Sequence, residues 1–345
     1  MRILTPLQVL SAVVVIALLA ACSGDSTIAP KLASSQSIAY HRTGPAPSIL
    51  GPMGTLEIAP RTGHHIKSFD SCPTTGPIKY VADNNNSVIY IYSGKFNGQA
   101  PCGQITASLN EPQSIHVRPG THDFYVANGA AGNILVFHRG QTTPYNTYVD
   151  PSNQYTSDVA IAKDGTVIAV NSASQNRQEF GSLSTWKEGP NGGTFIGNFP
   201  LTNNNIGEWM TLRKNGTVYF DAEPQTGGGS LWFVSCPAGA CGPQTQVAGV
   251  SFILAGGMVF DESGDLLVSD WGTGTVYRFE LPNPVPKSIP VGGEPTGLAI
   301  NVADHHFFVA DIANHDAAEY LYPGVSLVGV VPCCTEGPLG VAVDP

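Results

Sequence analysis

Residues 256–279 read Gly256-Gly-Met-Val-Phe-Asp-Glu-Ser-Gly-Asp-Leu-Leu-Val-Ser-Asp-Trp-Gly-Thr-Gly-Thr-Val-Tyr-Arg-Phe279. An apolar run at 258–260, a Ser-Gly turn, a second apolar run ending in Asp270, a Gly-rich turn and a run ending in Phe279 predict three short antiparallel strands. Moving outward in both directions, the same pattern returns. The second run closes on an acid or its amide at Asp83, Asn128, Asn171, Asp221, Asp270 and Asp311, and the third on an aromatic at Tyr92, Phe137, Trp186, Phe233, Phe279 and Tyr322. Those aromatics are 45, 49, 47, 46 and 43 residues apart. A period near 46 with four strands per unit is the spacing of a propeller blade.

The turns between first and second runs are equally regular. Asp164-Gly165 and Asn215-Gly216 are both followed by Thr-Val and predict type I′ hairpins; Pro119-Gly120 and Ser263-Gly264 take the same place. First and second runs are apolar on both faces, as in Val167-Ile168-Ala169-Val170, so each must be covered from two sides. First strands are expected near Ser114, Asp158, Glu208, Gly257, Gly297 and Gly340. The last of these, at 340–344, has no second strand after it, and the earliest unit, beginning at 78–80, has no first strand of its own. The expectation is therefore an all-β, six-bladed β-propeller over residues 63–345, closed by pairing of the C-terminal strand with the N-terminal blade. The recurring acids read as side chains that bond the following turn, because a group needed once per blade is structural.

Composition narrows the partners. The 345 residues hold 16 Lys and Arg against 26 Asp and Glu, a formal charge of −10, which excludes nucleic acid as an expected partner. Gly (39) and Pro (27) are numerous while charged residues are 12% of the chain, which favours tight turns over helices. At the N-terminus Arg2 precedes an apolar run over 9–21, too short for a stable span, so residues 1–21 read as an export signal. Residues 22–62, rich in Ser, Ala, Pro, Gly and Thr, read as a flexible tether. Six cysteines follow Cys22. Cys236 and Cys241 flank a Pro/Gly turn and are expected to pair; Cys72, Cys102, Cys333 and Cys334 allow three pairings, left open.

Two resemblances extend this reading. Leu19-Ala20-Ala21-Cys22 resembles the bacterial lipobox, which implies diacylation of Cys22, contact with the membrane through that lipid alone, and a place in the cell envelope on the periplasmic side or surface of the outer membrane. The Val-Ala-Asp, Gly/Asn-rich turn and aromatic-ended strand, with Pro295-Thr-Gly-Leu-Ala-Ile300, resemble the NHL-repeat and TolB-like six-bladed propellers. Such propellers take ligands at the central channel. The residues opening the innermost strands are then the candidate ligand-binding set: Gln113, Asp158, Glu208 and Thr296, with Gly257 and Leu339 completing the circle.

Asp158 and Glu208 fall on adjacent blades, and their carboxylates are the candidates for a hard cation such as Ca²⁺; the other reading makes them solvated acids at strand starts. No cofactor is otherwise expected. Similarity to gluconolactonase-like propellers is carried by 295–299, but Thr296 stands where that family has Asn. Similarity to streptogramin-lyase-like propellers points to His116, which an apolar strand equally accommodates as a core residue. No Gly-x-Ser-x-Gly elbow, His-Glu-x-x-His or phosphate-cradling loop is present. The expected function is a lipid-anchored module that binds a protein, peptide or glycan; the alternative is a metal-dependent hydrolase or lyase.

Overall fold

Alternation between short apolar runs and Gly-centred turns produces twenty-four strands among the described residues of the computed structural model, which are 72–345 apart from 74, 153, 175–179, 225–227, 283, 304 and 335–336. The leader, the tether and Cys22 lie outside them. In chain order the strands are β1 (Ile78–Asp83), β2 (Val88–Ser93) and β3 (Gly103–Ile105); β4 (Pro112–Val117), β5 (Phe124–Asn128), β6 (Asn133–Phe137) and β7 (Asn146–Val149); β8 (Gln154–Ile161), β9 (Thr166–Ser174), β10 (Ser182–Lys187) and β11 (Thr194–Pro200). There follow β12 (Met210–Leu212), β13 (Thr217–Ala222), β14 (Gly229–Ser235) and β15 (Thr245–Phe252); β16 (Ala255–Phe260), β17 (Leu266–Asp270), β18 (Thr275–Phe279) and β19 (Pro286–Pro290); β20 (Pro295–Asn301), β21 (His306–Asp311), β22 (Asp316–Leu321) and β23 (Leu327–Pro332); and β24 (Pro338–Asp344).

They form six four-stranded antiparallel sheets, five of them contiguous in sequence and one with the order β24-β1-β2-β3. The last strand thus supplies the innermost strand of the first blade, with Val341 opposite Val81, Ala342 opposite Tyr80 and Val343 opposite Lys79. Innermost strands β24, β4, β8, β12, β16 and β20 each pack on the next, and β20 returns to β24. The sheets therefore close into a six-bladed β-propeller, as the repeat predicts.

Burial follows from that stacking. The core is six apolar clusters, each shared by two neighbouring blades, so every blade is sandwiched. The aromatics that end the third strands belong to them. Tyr92 meets Phe96, which in turn meets Phe308 of the sixth blade with ring centroids 5.6 Å apart, and Trp186 meets Tyr148 of the second blade at 6.1 Å. The seam between first and last blades also buries a polar group. Glu319 lies between His306 and Lys79 and accepts the Phe96 N–H at 2.7 Å.

One feature differs in detail from the sequence reading. Gly165 (φ 80°) and Gly216 (φ 85°) have positive φ but Asp164 and Asn215 do not. Gly165 N–H donates to Ala162 O and Ala162 N–H to Thr166 O, so the loop is a type I turn followed by a left-handed Gly rather than a type I′ turn. Asp-Gly suits both. Among the cysteines, Cys236 pairs with Cys241 as expected, and from the open set Cys72 pairs with Cys102.

Candidate functional site

The acids closing the second strands fix where each inner strand begins. Asp270 accepts the N–H groups of Ile253 (3.2 Å) and Leu254 (3.0 Å), in the segment leading into β16, and that of Gly272 (3.2 Å) in the turn that follows. Asp311 does the same for Glu294, Ala313 and Asn314. One carboxylate thus pins both the incoming chain and the outgoing turn of its blade, so these residues bond the turn as expected and bind the preceding loop as well.

At the starts of the inner strands the backbones of adjacent blades come very close. A methyl group on Gly257 would lie 2.5 Å from Leu298 N, one on Gly297 2.4 Å from Leu339 O, and one on Gly340 2.6 Å from Gln113 O. Residues larger than glycine would force these blades apart. The fourth blade starts at Met210 without such a glycine, and there Asp158 bridges the gap by accepting the Met210 N–H at 2.8 Å; its other oxygen accepts the Val159 N–H at 2.7 Å.

Inside the ring lies a channel of ≈ 550 Å³. Its wall is mostly aliphatic, including Val117, Val159, Met210, Leu298, Ile300 and Val341, interrupted by Ser114, His116, Asp158, Thr211 and Asn301. Burial raises the Asp158 pKa to about 7, against the opposing influence of Ser114 and of the Met210 and Val159 amides. Ser114 Oγ is close enough to act on that carboxyl yet lies outside hydrogen-bond geometry to any partner. Burial lowers the His116 pKa to about 4, which leaves the imidazole neutral, although part of its surface stays open to the channel.

The four candidate ligand residues separate on this geometry. Asp158 lines the channel. Gln113 is not among the residues of the channel wall and donates to Tyr155 Oη (2.5 Å) and Glu111 O (3.2 Å), while Tyr155 donates to Glu111 Oε2 at 3.0 Å. Burial and the Glu111 charge raise the Tyr155 pKa well above its usual value. Glu208 lies two residues before β12 and outside the channel wall, beside fully buried Asp221 and Glu223. Asp221 accepts the Glu208 and Trp209 N–H groups, and burial together with the charges of Glu223 and Glu208 holds its carboxyl well above the usual range. Thr296 is 1% exposed, with its hydroxyl shared between Ala310 O and Pro338 O, so it staples the sixth blade to the first.

Of this pair only Asp158 belongs to the channel wall, and among the described residues no group of three or more His, Cys, Asp or Glu could hold a metal ion. The hydrogen-bonded group of Glu111, Gln113 and Tyr155 was only partly foreseen. Tyr155 precedes the apolar part of β8, and nothing local marks it as facing Gly129 of the neighbouring blade, where a side chain would collide with its ring.

No protein-family model matches the chain, and no curated protein is detectably similar in sequence. Solved structures do match in shape. A protein of unknown function from Desulfotomaculum acetoxidans DSM 771 is 13% identical, with 77% of this chain and 98% of that one covered and a TM-score of 0.54. The nidogen/laminin complex contains a chain 13% identical, covering 78% of this chain and 98% of that one, with a TM-score of 0.61. At such identities the likeness shows architecture, and the class defined is the six-bladed β-propeller.

Proposed function

We propose that the chain is a lipid-anchored envelope propeller of NHL-repeat or TolB-like character, which binds a protein, peptide or glycan ligand where the inner strands begin. One observation carries this reading: a largely aliphatic channel of ≈ 550 Å³ whose wall also carries a few polar groups, Ser114, His116 and Asp158 among them. That combination suits a ligand with an apolar portion to bury and polar groups to orient it. One of the similar structures is itself a complex, nidogen with laminin. The hydrolase or lyase alternative draws less support, because Asp158 is bonded to backbone amides, Glu208 lies off the channel wall and the Thr296 hydroxyl is engaged.

Filling the channel tests the reading. The detergent-solubilised full chain should be retained by members of peptide or glycan arrays, and Leu298→Trp, projecting bulk into the channel, should lower that retention at least tenfold. A folded Leu298→Trp protein with the parent's array profile would overturn it. Lipid attachment has its own readout. Cys22→Ser should move the chain from the detergent phase to the aqueous phase of a Triton X-114 separation, and unchanged partition would remove the anchor.

A further inference from the structure

Charge is distributed unevenly between the two ends of the ring. Antiparallel register places the segments before the inner strands and the ends of the second strands together at one end. There lie Glu111, Asp158, Glu208, Asp221, Glu223 and Glu294. Every described Lys and Arg lies toward the other end, in or beside the opposite turns, as with Arg118, Lys163, Arg213, Lys214 and Arg278. Among the described residues, the first end therefore carries acids and no Lys or Arg.

The apolar wall of the channel carries a carboxylate and a hydroxyl, those of Asp158 and Ser114. Asp158 accepts one N–H on each oxygen, and a carboxylate has about four lone-pair sites, so each oxygen can take a second donor. Ser114 Oγ, on the neighbouring strand β4, is 5% exposed and has no hydrogen-bond partner. His116, two residues further along β4, is neutral and does not repel a cation. The rest of the wall is mostly aliphatic, with Thr211 and Asn301 as its other polar residues.

We propose that the channel binds an ammonium group on an aliphatic stem, the ammonium donating to Asp158 and Ser114 and the stem lying along the apolar wall. This rests on the channel being the binding site argued above, and it names the ligand chemistry. A buried cation is costly unless it is paired and hydrogen-bonded; this site offers the opposite charge and a second acceptor, which a neutral or anionic ligand would not use. The ammonium can come from a lysine side chain of a peptide or from a free alkylamine.

Calorimetry on the solubilised full chain at pH 8, where Asp158 is ionised, distinguishes the outcomes. n-Hexylamine should bind at least tenfold more tightly than n-hexanol, and hexanoate should bind more weakly than either. Asp158→Asn should cost hexylamine at least tenfold and hexanol little, and Ser114→Ala should cost hexylamine severalfold. A capped Ala-Lys-Ala peptide that binds, and loses binding on Nε-acetylation, identifies lysine as the source; binding of hexylamine alone identifies a free amine. Equal affinity for hexylamine and hexanol overturns the proposal, as does an unchanged hexylamine affinity in Ser114→Ala should Asp158→Asn not fold. Array retention that is lost in Leu298→Trp while hexylamine fails to bind would leave the binding module standing and remove the ammonium.

Discussion

At the scale of single residues, Asp158 is caught between donors that favour its ionised form and burial that opposes it, and burial wins, lifting the pKa to about 7. In the unfolded chain the same carboxyl titrates near 3.8. Between the two values the folded protein holds a proton the unfolded chain has lost, so stability falls as pH rises from about 4 to about 7 and is level above that. A shift of this size corresponds to about 4 kcal/mol at its full extent. Asp158→Asn removes the titration, and melting temperatures of the variant should differ less between pH 5 and pH 8 than those of the parent; an equal difference in both would contradict it. The residue also shows how far the site could be read from sequence. Asp158 lines the channel because β8 starts at Gln154 and bulges twice before reaching it, whereas Glu208 misses the wall because β12 starts only at Met210. Side chains on a strand alternate between faces, so an error of one or two residues in the start sends a side chain the other way. Types and spacing located the starts of the inner strands to within a few residues; the face each residue takes depended on loops held from a distance by acids such as Asp270.

At the scale of elements, the second strands and their turns were the most legible parts, because their signals are local. Apolar runs, a closing acid and a left-handed Gly each report on neighbours a few positions away. Pairing of the cysteines was not, since four positions spread over the chain carry no local mark of their partners. Once placed, the bridges differ in reach. Cys72–Cys102 spans 30 positions and ties the segment before β1 to the start of β3, while Cys236–Cys241 spans 5 within one hairpin connection. Loop entropy assigns about 3.5–4 kcal/mol to the first and about 2 kcal/mol to the second. The double variant Cys72→Ser/Cys102→Ser should accordingly lose more stability in urea than Cys236→Ser/Cys241→Ser. The reverse order would count against loop entropy as the main contribution of these bridges.

For the whole molecule, circular closure was legible from a mismatch between units: a first strand without a second at 340–344, and a second without a first at 78–83. The physical ground is that an apolar strand edge must be paired or covered. Val341 and Val343 are 3% and 9% exposed in place, and their burial alone contributes about 3–6 kcal/mol, a large part of what a domain of this kind has to spare. Removing residues 339–345 should abolish a cooperative thermal transition or lower it by well over 10 °C, and a truncated chain melting like the parent would argue against the ring. Further contacts hold β24, for buried Asp344 accepts from Arg139 at 2.7 Å and pairs with His122 at 2.6 Å, both from the second blade. This arrangement has a consequence for synthesis. β1 leaves the ribosome about 250 residues ahead of β24, so throughout translation of the other five blades its inner margin stays without its partner, and chaperones that shield apolar strands would be needed for that interval above all.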